Sequence, residues 1–285
     1  NLLNRWQYSN AEKGWVSFVN LNYMKDERQA GQIDYNPLTD KGTTNAWGSE
    51  VNSERFTLSN KTGYVFPDTP YKSIGLQNSF QSHRQDSYFG LNSYDIHQKS
   101  WYGNLIYNSI IGNTQHKFAT GLSGTYDDYN EQLTTSALAG DFSRIDRSVG
   151  AFFEYTYDNS SNFSFVAGIR ADSHNNLGNF ITPRFHLRYN PWKEATFRLS
   201  AGRGKRAANV IAENQQLLAS SRQLHIIGGD GGKLYGLNPE IAWNYGASFL
   251  QAFKIWGKNA ELSVDLYRTH FDNQVVVDLD HSPQQ

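Results

Sequence analysis

Apolar and polar residues alternate with a period of two along most of this chain, the pattern of strands whose two faces meet different surroundings. Phe163, Phe165, Ala167 and Ile169 share one face, while Ser164, Gly168, Arg170 and Asp172 share the other, with Val166 an exception. Ala195, Phe197, Leu199 and Ala201 oppose Thr196, Arg198, Ser200 and Gly202. Ala260, Leu262, Val264 and Leu266 oppose Glu261, Ser263 and Asp265. The same alternation runs through residues 151–157, 185–189 and 243–249, whereas helical spacing is faint and confined to residues 209–218. Short connections fall near residues 9–14, 67–70, 112–114, 158–162, 190–194 and 257–259, where Asn, Asp, Gly and Pro supply ordinary turn chemistry. Longer polar stretches lie between them, at residues 24–50, 84–97, 127–144, 172–178 and 203–239. The segments so delimited predict roughly twelve strands, many longer than the ~5–6 residues usual in soluble sheets. Short turns alternating with long loops predict an antiparallel up-and-down barrel whose rims face different compartments.

Alternation alone fits a soluble sandwich as well as a membrane barrel. The aromatic positions separate the two. Beside the short turns stand Trp15, Phe66, Tyr71, Tyr107, Tyr157, Phe163, Tyr189, Trp192, Phe253 and Trp256. At the far strand ends stand Tyr23, Phe56, Phe80, Trp101, Tyr126, Trp243 and Tyr267. Between these groups the apolar face is filled mainly by Ala, Leu, Ile, Val and Gly, so two aromatic belts bracket a band of smaller residues, as the two interfaces of a bilayer select. A sandwich would place its largest residues in the middle. The polar face carries Glu154, Arg170, His186, Arg188, Arg198, Glu261 and Asp265, too many charges for a dry core, and so predicts a wet lumen.

Composition agrees. The 285 residues hold 17 Phe, 17 Tyr and 7 Trp, yet mean hydropathy is -0.63, a pairing foreign to disordered chains and to helical membrane proteins. Lys plus Arg number 26 and Asp plus Glu 27, a net charge of -1 that excludes nucleic-acid binding by bulk charge. Cysteine is absent, and with it disulfides, thiol catalysis and Cys-ligated metals.

Four segments carry a resemblance. Residues 199–209, Leu-Ser-Ala-Gly-Arg-Gly-Lys-Arg-Ala-Ala-Asn, resemble the S-x-G-x-G-aromatic-R-x-P strand-to-loop segment of TonB-dependent outer-membrane receptors. Leu237-Asn238-Pro239-Glu240, followed by Trp243-Asn244-Tyr245-Gly246, is similar to that family's L-x-P-E…N-Y/E-x-G motif. Residues 260–271 resemble its following strand, and Pro183-Arg184-Phe185 through Tyr189-Asn190-Pro191 its preceding hairpin. The match covers about residues 180–280; over residues 1–180 only the barrel pattern supports it. Lys205 stands where the family has an aromatic residue and Ala208 where it has Pro, which bears on the loop that follows. The resemblance implies a partial all-β transmembrane barrel over residues 1–285, roughly twelve strands of one that closes with about 22. It also implies a Gram-negative outer-membrane location, a plug domain and closing strands outside this sequence, and a short extracellular helix over residues 209–222. In function it implies energy-coupled import of a scarce ligand such as a ferric siderophore, haem or cobalamin, driven by the TonB complex pulling on the plug. Its partners would be that complex, the ligand and membrane lipid, with no cofactor and no nucleic acid. A passive porin of about twelve strands is the alternative, and a soluble carbohydrate-binding β domain a more distant one.

Motifs for catalysis are absent: the sequence has no His-Glu-x-x-His and no Gly-x-Ser-x-Gly. The run Gly228-Gly229-Asp230-Gly231-Gly232-Lys233 has the wrong spacing for a phosphate loop and reads as a loop tip. Asp127-Asp128 and Asp278-Leu279-Asp280-His281 read as solvated carboxylates, and the histidines show no ligand spacing. The ligand candidates are the basic residues Arg203, Lys205, Arg206, Arg222 and His225, which could hold an anionic iron chelate by charge-assisted hydrogen bonds, the alternative being an interstrand or plug-facing set of salt bridges. Tyr126, Tyr129, Phe142 and Tyr235 could stack on a planar ligand.

Overall fold

In the computed structural model, residues 1–228 and 233–279 are described. Among the described residues thirteen strands form one antiparallel sheet in which, β7 apart, each strand pairs with the next along the chain. In order they are β1 (Leu2–Asn10), β2 (Trp15–Gly31), β3 (Gly48–Val65), β4 (Ser73–Phe89), β5 (Asn92–Ile111) and β6 (Asn113–Thr134). After the three-residue β7 (Ala139–Asp141), which pairs only with β6, come β8 (Arg144–Asp158), β9 (Phe163–His174) and β10 (Gly178–Tyr189). The sheet ends with β11 (Ala195–Arg206), β12 (Glu240–Ile255) and β13 (Lys258–Asn273). Between β11 and β12 the chain forms one helical turn, α1 (Val210–Glu213), and a 3-10 turn over Gln215–Ala219. The twelve-strand ribbon is the predicted up-and-down meander, and among the described residues no helix is long and apolar enough to cross a membrane.

The strands outrun the sequence expectation at one rim. Residues 84–97, read as a loop, continue β4 and β5 to a tight turn at Gly90–Leu91, where Gly90 takes φ 62°. Residues 24–50 shrink to a loop over 32–47, most of 127–144 is strand, and 172–178 shrinks to a turn over 175–177. Polar side chains hid these extensions, because a hairpin standing clear of the bilayer has no greasy face to betray its period. The opposite rim has the short turns expected, with Gly14, Gly112 and Gly257 at φ 72°, 76° and 78°.

Register sorts every side chain to one of two faces. Tyr107, Leu105 and Trp101 lie across from Ile74, Leu76 and Phe80 on one side, and Thr120, Leu122 and Tyr126 on the other. Tyr23 lies across from Phe56, and Phe197 packs on Phe249 with ring centroids 4.6 Å apart. This is the lipid face. Arg170, Arg188, Arg198, Glu154 and Asp265 all take the other, lumenal face, joined by Val166. One belt assignment needs correction: Tyr267 pairs with Gly246 in the same parity as Asp265 and faces the lumen. Its neighbours Leu266 and Arg268 face outward instead.

Candidate functional site

At the long-loop rim, the extensions of β5, β6 and β8 stand above the outer aromatic belt and turn polar groups inward. The β11–β12 loop folds back over them. Ile211 of α1 and Leu218 of the 3-10 turn bury against Tyr94 and Leu133, forming a small apolar core inside the mouth. Beside it Glu131, 1% exposed, accepts hydrogen bonds from Tyr94 Oη (2.8 Å), Arg144 Nη1 (2.8 Å) and Tyr235 Oη (2.5 Å). Arg144 also donates to Asp146 Oδ2 (3.2 Å) and to Asn209 Oδ1, and its guanidinium lies 4.0 Å above the Tyr129 ring. Burial, helped by the Glu131 carboxylate, pushes the Tyr235 phenol well above the ordinary tyrosine range.

Local sequence explains how the loop reaches this network. Asn209 precedes α1 but makes no side-chain cap; its amide oxygen serves Arg144 instead. Tyr235 has φ 52° and precedes Gly236 at φ 72°, a left-handed pair that turns the chain so the Tyr235 ring points down at Glu131 and packs on Phe142 at 5.5 Å. Gln85 Nε2 donates to Gln215 Oε1 (3.1 Å), and Asn92 donates to the Leu218 carbonyl (2.8 Å). The loop is thus pinned by buried polar bonds on β4, β5, β6 and β8. Sequence reasoning missed Glu131 and Arg144, since on a strand each looks like any solvated charge.

Deeper in the lumen the charges divide. Arg170 binds Asp172 and the Ser123 hydroxyl, and Arg184 pairs with Glu154. Arg188 and Arg198, by contrast, sit directly across the β10–β11 ladder from each other. Arg188 donates only to Asn190 (3.1 Å), and among the described residues neither guanidinium has an acidic partner. Facing like charges repel. With His186, Ser200, Ser248 and Tyr267 they line a lumenal cleft of about 310 Å³, a ready seat for an anionic group.

The five predicted ligand residues do not form one cluster. Arg206 is tied by Nε to Glu240 (2.6 Å) and by Nη1 to Glu213 (2.8 Å), bracing the loop to β12. Arg203 donates to the Ile181 carbonyl (3.0 Å) and Lys205 to the Leu177 carbonyl (2.7 Å), both toward β10. Arg222 reaches the Leu279 carbonyl (2.8 Å), and with His225 lines a cleft of about 220 Å³ between the loop and residues 275–279. The aromatic candidates part likewise: Tyr126 belongs to the outer belt, Tyr129 lies beneath Arg144, and Phe142 and Tyr235 are internal to the loop packing. Asp127 and Asp128 point to opposite faces, Asp127 taking a hydrogen bond from Gln98 (3.3 Å). Residues 229–232, and Asp280 and His281, lie outside the described residues. Among the described residues no group of three His, Asp or Glu could hold a metal ion.

Comparison with known proteins adds findings from solved structures and from a family model. The structure resembles the alcaligin outer-membrane receptor FauA of Bordetella pertussis at TM-score 0.66 and 14% identity, covering 98% of this chain and 44% of that one. It resembles the haemophore receptor HasR of Serratia marcescens, solved with its haemophore HasA and haem, at TM-score 0.67 and 11% identity over 95% of this chain and 45% of that one. The siderophore receptor PirA of Pseudomonas aeruginosa gives TM-score 0.54 at 12% identity, covering 93% of this chain and 51% of that one. The chain therefore spans about half the length of these receptors, whose likeness at such identity establishes the fold. No curated protein matches the sequence. The model of the TonB dependent receptor-like β-barrel matches residues 2–285, and with the two-faced meander just described it places this chain in the family of TonB-dependent receptor barrels of the Gram-negative outer membrane.

Proposed function

We propose that the protein containing this segment is an energy-coupled receptor that imports a scarce iron complex, a ferric siderophore or a similar chelate, through the outer membrane. One observation carries the reading: a wet, charged lumen whose extracellular mouth is partly filled by an inward loop held on the Glu131–Arg144 network. A passive pore works by leaving its lumen open, whereas an importer needs a surface that engages a ligand and a lumen that stays closed until energy arrives. The unpaired Arg188 and Arg198 support a plug in the lumen, whose carboxylates would neutralise them. Arg222 and His225 in the loop, Arg206 at its base and Arg203 and Lys205 on the outward face of β11 are the candidates to supply positive charge for an anionic chelate, Arg206 doing so while bracing the loop.

The test is uptake by cells that lack other iron receptors and express the full-length protein. A ferric catecholate, a ferric hydroxamate and haem serve as probes, each with and without a protonophore. Saturable uptake of one probe, abolished when the proton gradient collapses, supports the importer. Non-saturable, energy-independent entry of all three would establish the porin reading instead.

A further inference from the structure

The lipid-facing wall carries a groove with a charge at one end. Gly103 of β5 and Gly124 of β6 face each other across the ladder, with Asn78 and Val149 beyond them on β4 and β8. Two adjacent positions without side chains leave room that the Trp101 ring covers, and a trough continues from there along the leucine-covered surface. The Trp101 ring lies down into its upper end: a methyl on Gly103 would stand 2.6 Å from Trp101 Cζ2, and one on Gly124 3.2 Å from Cζ3. Leu76, Leu105, Leu122 and Val149 supply its apolar walls, Asn78, Ser173 and Asn175 are among the polar residues that also line it, and the space measures about 700 Å³, within the ~300–1,000 Å³ usual for small-molecule sites.

The rim of this groove is charged in one place. Across the ladder from Trp101 stands Tyr126, and across from Tyr126 stands Arg147. Trp and Tyr of the outer belt mark the headgroup level, so Arg147 sits where phosphates lie. It is exposed on the lipid side, and among the described residues its guanidinium has no hydrogen bond or ion pair. The groove's lining contains no Asp or Glu, so Arg147 is its only full charge at neutral pH. Lys99, another cation on this face, lies across from Asp128. A guanidinium without an ion pair above a largely apolar trough complements one chemistry: an anionic phosphate carrying hydrocarbon chains.

We propose that this groove is a specific site for a phosphate-bearing lipid of the outer leaflet, one acyl chain lying along Leu105 and Leu122 on the bilayer side of the Trp101 ring and the phosphate held by Arg147. This goes beyond the transport reading and does not depend on which ligand is imported. A lipid seated here would stiffen β5, β6 and β8, the strands that carry the Glu131–Arg144 network above.

The experiment is native mass spectrometry of the full-length receptor in neutral detergent, titrated with phosphatidylglycerol or with diacylglycerol of the same chains. One tightly retained phosphatidylglycerol is expected for the wild type and for Arg147→Lys. About tenfold weaker retention is expected for Arg147→Gln, in line with the loss of a charge-assisted contact, and for Val149→Trp, which fills the trough. Diacylglycerol should bind like the weakened variants. Equal retention by the wild type and Arg147→Gln, or equal affinity for diacylglycerol, would overturn the proposal. Because Arg147→Lys keeps the charge and leaves the groove untouched, its retention of lipid separates a lost site from lost folding.

Discussion

Replacing Glu131 by Gln tests whether the mouth loop is held by charge. The carboxylate is 1% exposed and accepts three hydrogen bonds, two on the oxygen shared by Arg144 and Tyr235 and one from Tyr94. Gln keeps the shape, but its amide nitrogen must face Tyr94, because Arg144 cannot accept a hydrogen bond. Each charge-assisted bond then becomes a neutral one or reverses, at a loss of about 1 kcal/mol apiece, or about 3 kcal/mol together. Removing one partner of a buried ion pair costs about 3–5 kcal/mol; Asp146, 3.2 Å from Arg144 Nε, remains to hold the guanidinium and favours the lower figure. Tyr235 and Asn209 both belong to the loop, so the loss falls on loop docking. About 3 kcal/mol corresponds to roughly a hundredfold larger open population. Hydrogen exchange followed by mass spectrometry should therefore show amides of residues 208–220 exchanging about a hundredfold faster, with the membrane strands unchanged. Loop exchange that stays at the wild-type rate would refute the idea that Glu131 holds the mouth.

Other expectations follow from the two faces and from the loop braces. Val264 faces lipid near the middle of β13 while Asp265 faces the lumen, so Val264→Arg should destabilise the barrel by about 2–4 kcal/mol in urea titrations of folding into vesicles. Asp265→Asn should cost little; equal tolerance at both positions would reverse the assigned faces. Arg206→Ala removes the link from β11 to Glu213 and Glu240, and should raise protease cleavage of the loop at unchanged barrel folding, whereas Arg203→Ala should not. Loss of probe uptake in both variants would make charge toward the ligand, rather than loop bracing, their shared role. The raised Tyr235 phenol favours the folded loop while it is neutral, so its contribution is complete below about pH 10, the unfolded value, and fades as pH climbs through the higher folded value. Tyrosinate absorbance should show Tyr235 absent from the groups that titrate near pH 10, so Tyr235→Phe should leave that early titration unchanged.

Much of this architecture was legible from residue order alone, because a bilayer imposes its rule one strand at a time. A period of two separates wet from greasy faces within a few residues, so Phe197 and Leu199 against Arg198, or Val264 against Asp265, declare their sides without knowledge of any partner strand. The aromatic belts and the short turns obey equally local constraints. What required the folded sheet is whatever depends on neighbours from elsewhere in the chain. Residues 84–97 read as loop because no apolar face marks a hairpin raised above the membrane, and only pairing of β4 with β5 makes them strand. Tyr267 looked like a belt residue until its register with Gly246 turned it inward. The basic residues 203, 205, 206, 222 and 225 are close in sequence, yet separate contacts with β10, Glu240 and residue 279 draw them apart. Glu131 and Arg144 acquire their meaning only when Tyr235, 104 positions from Glu131, folds back upon them. Solvation is decided locally and can be read from a line of residues; partnership is decided by chain return, and only three dimensions hold it.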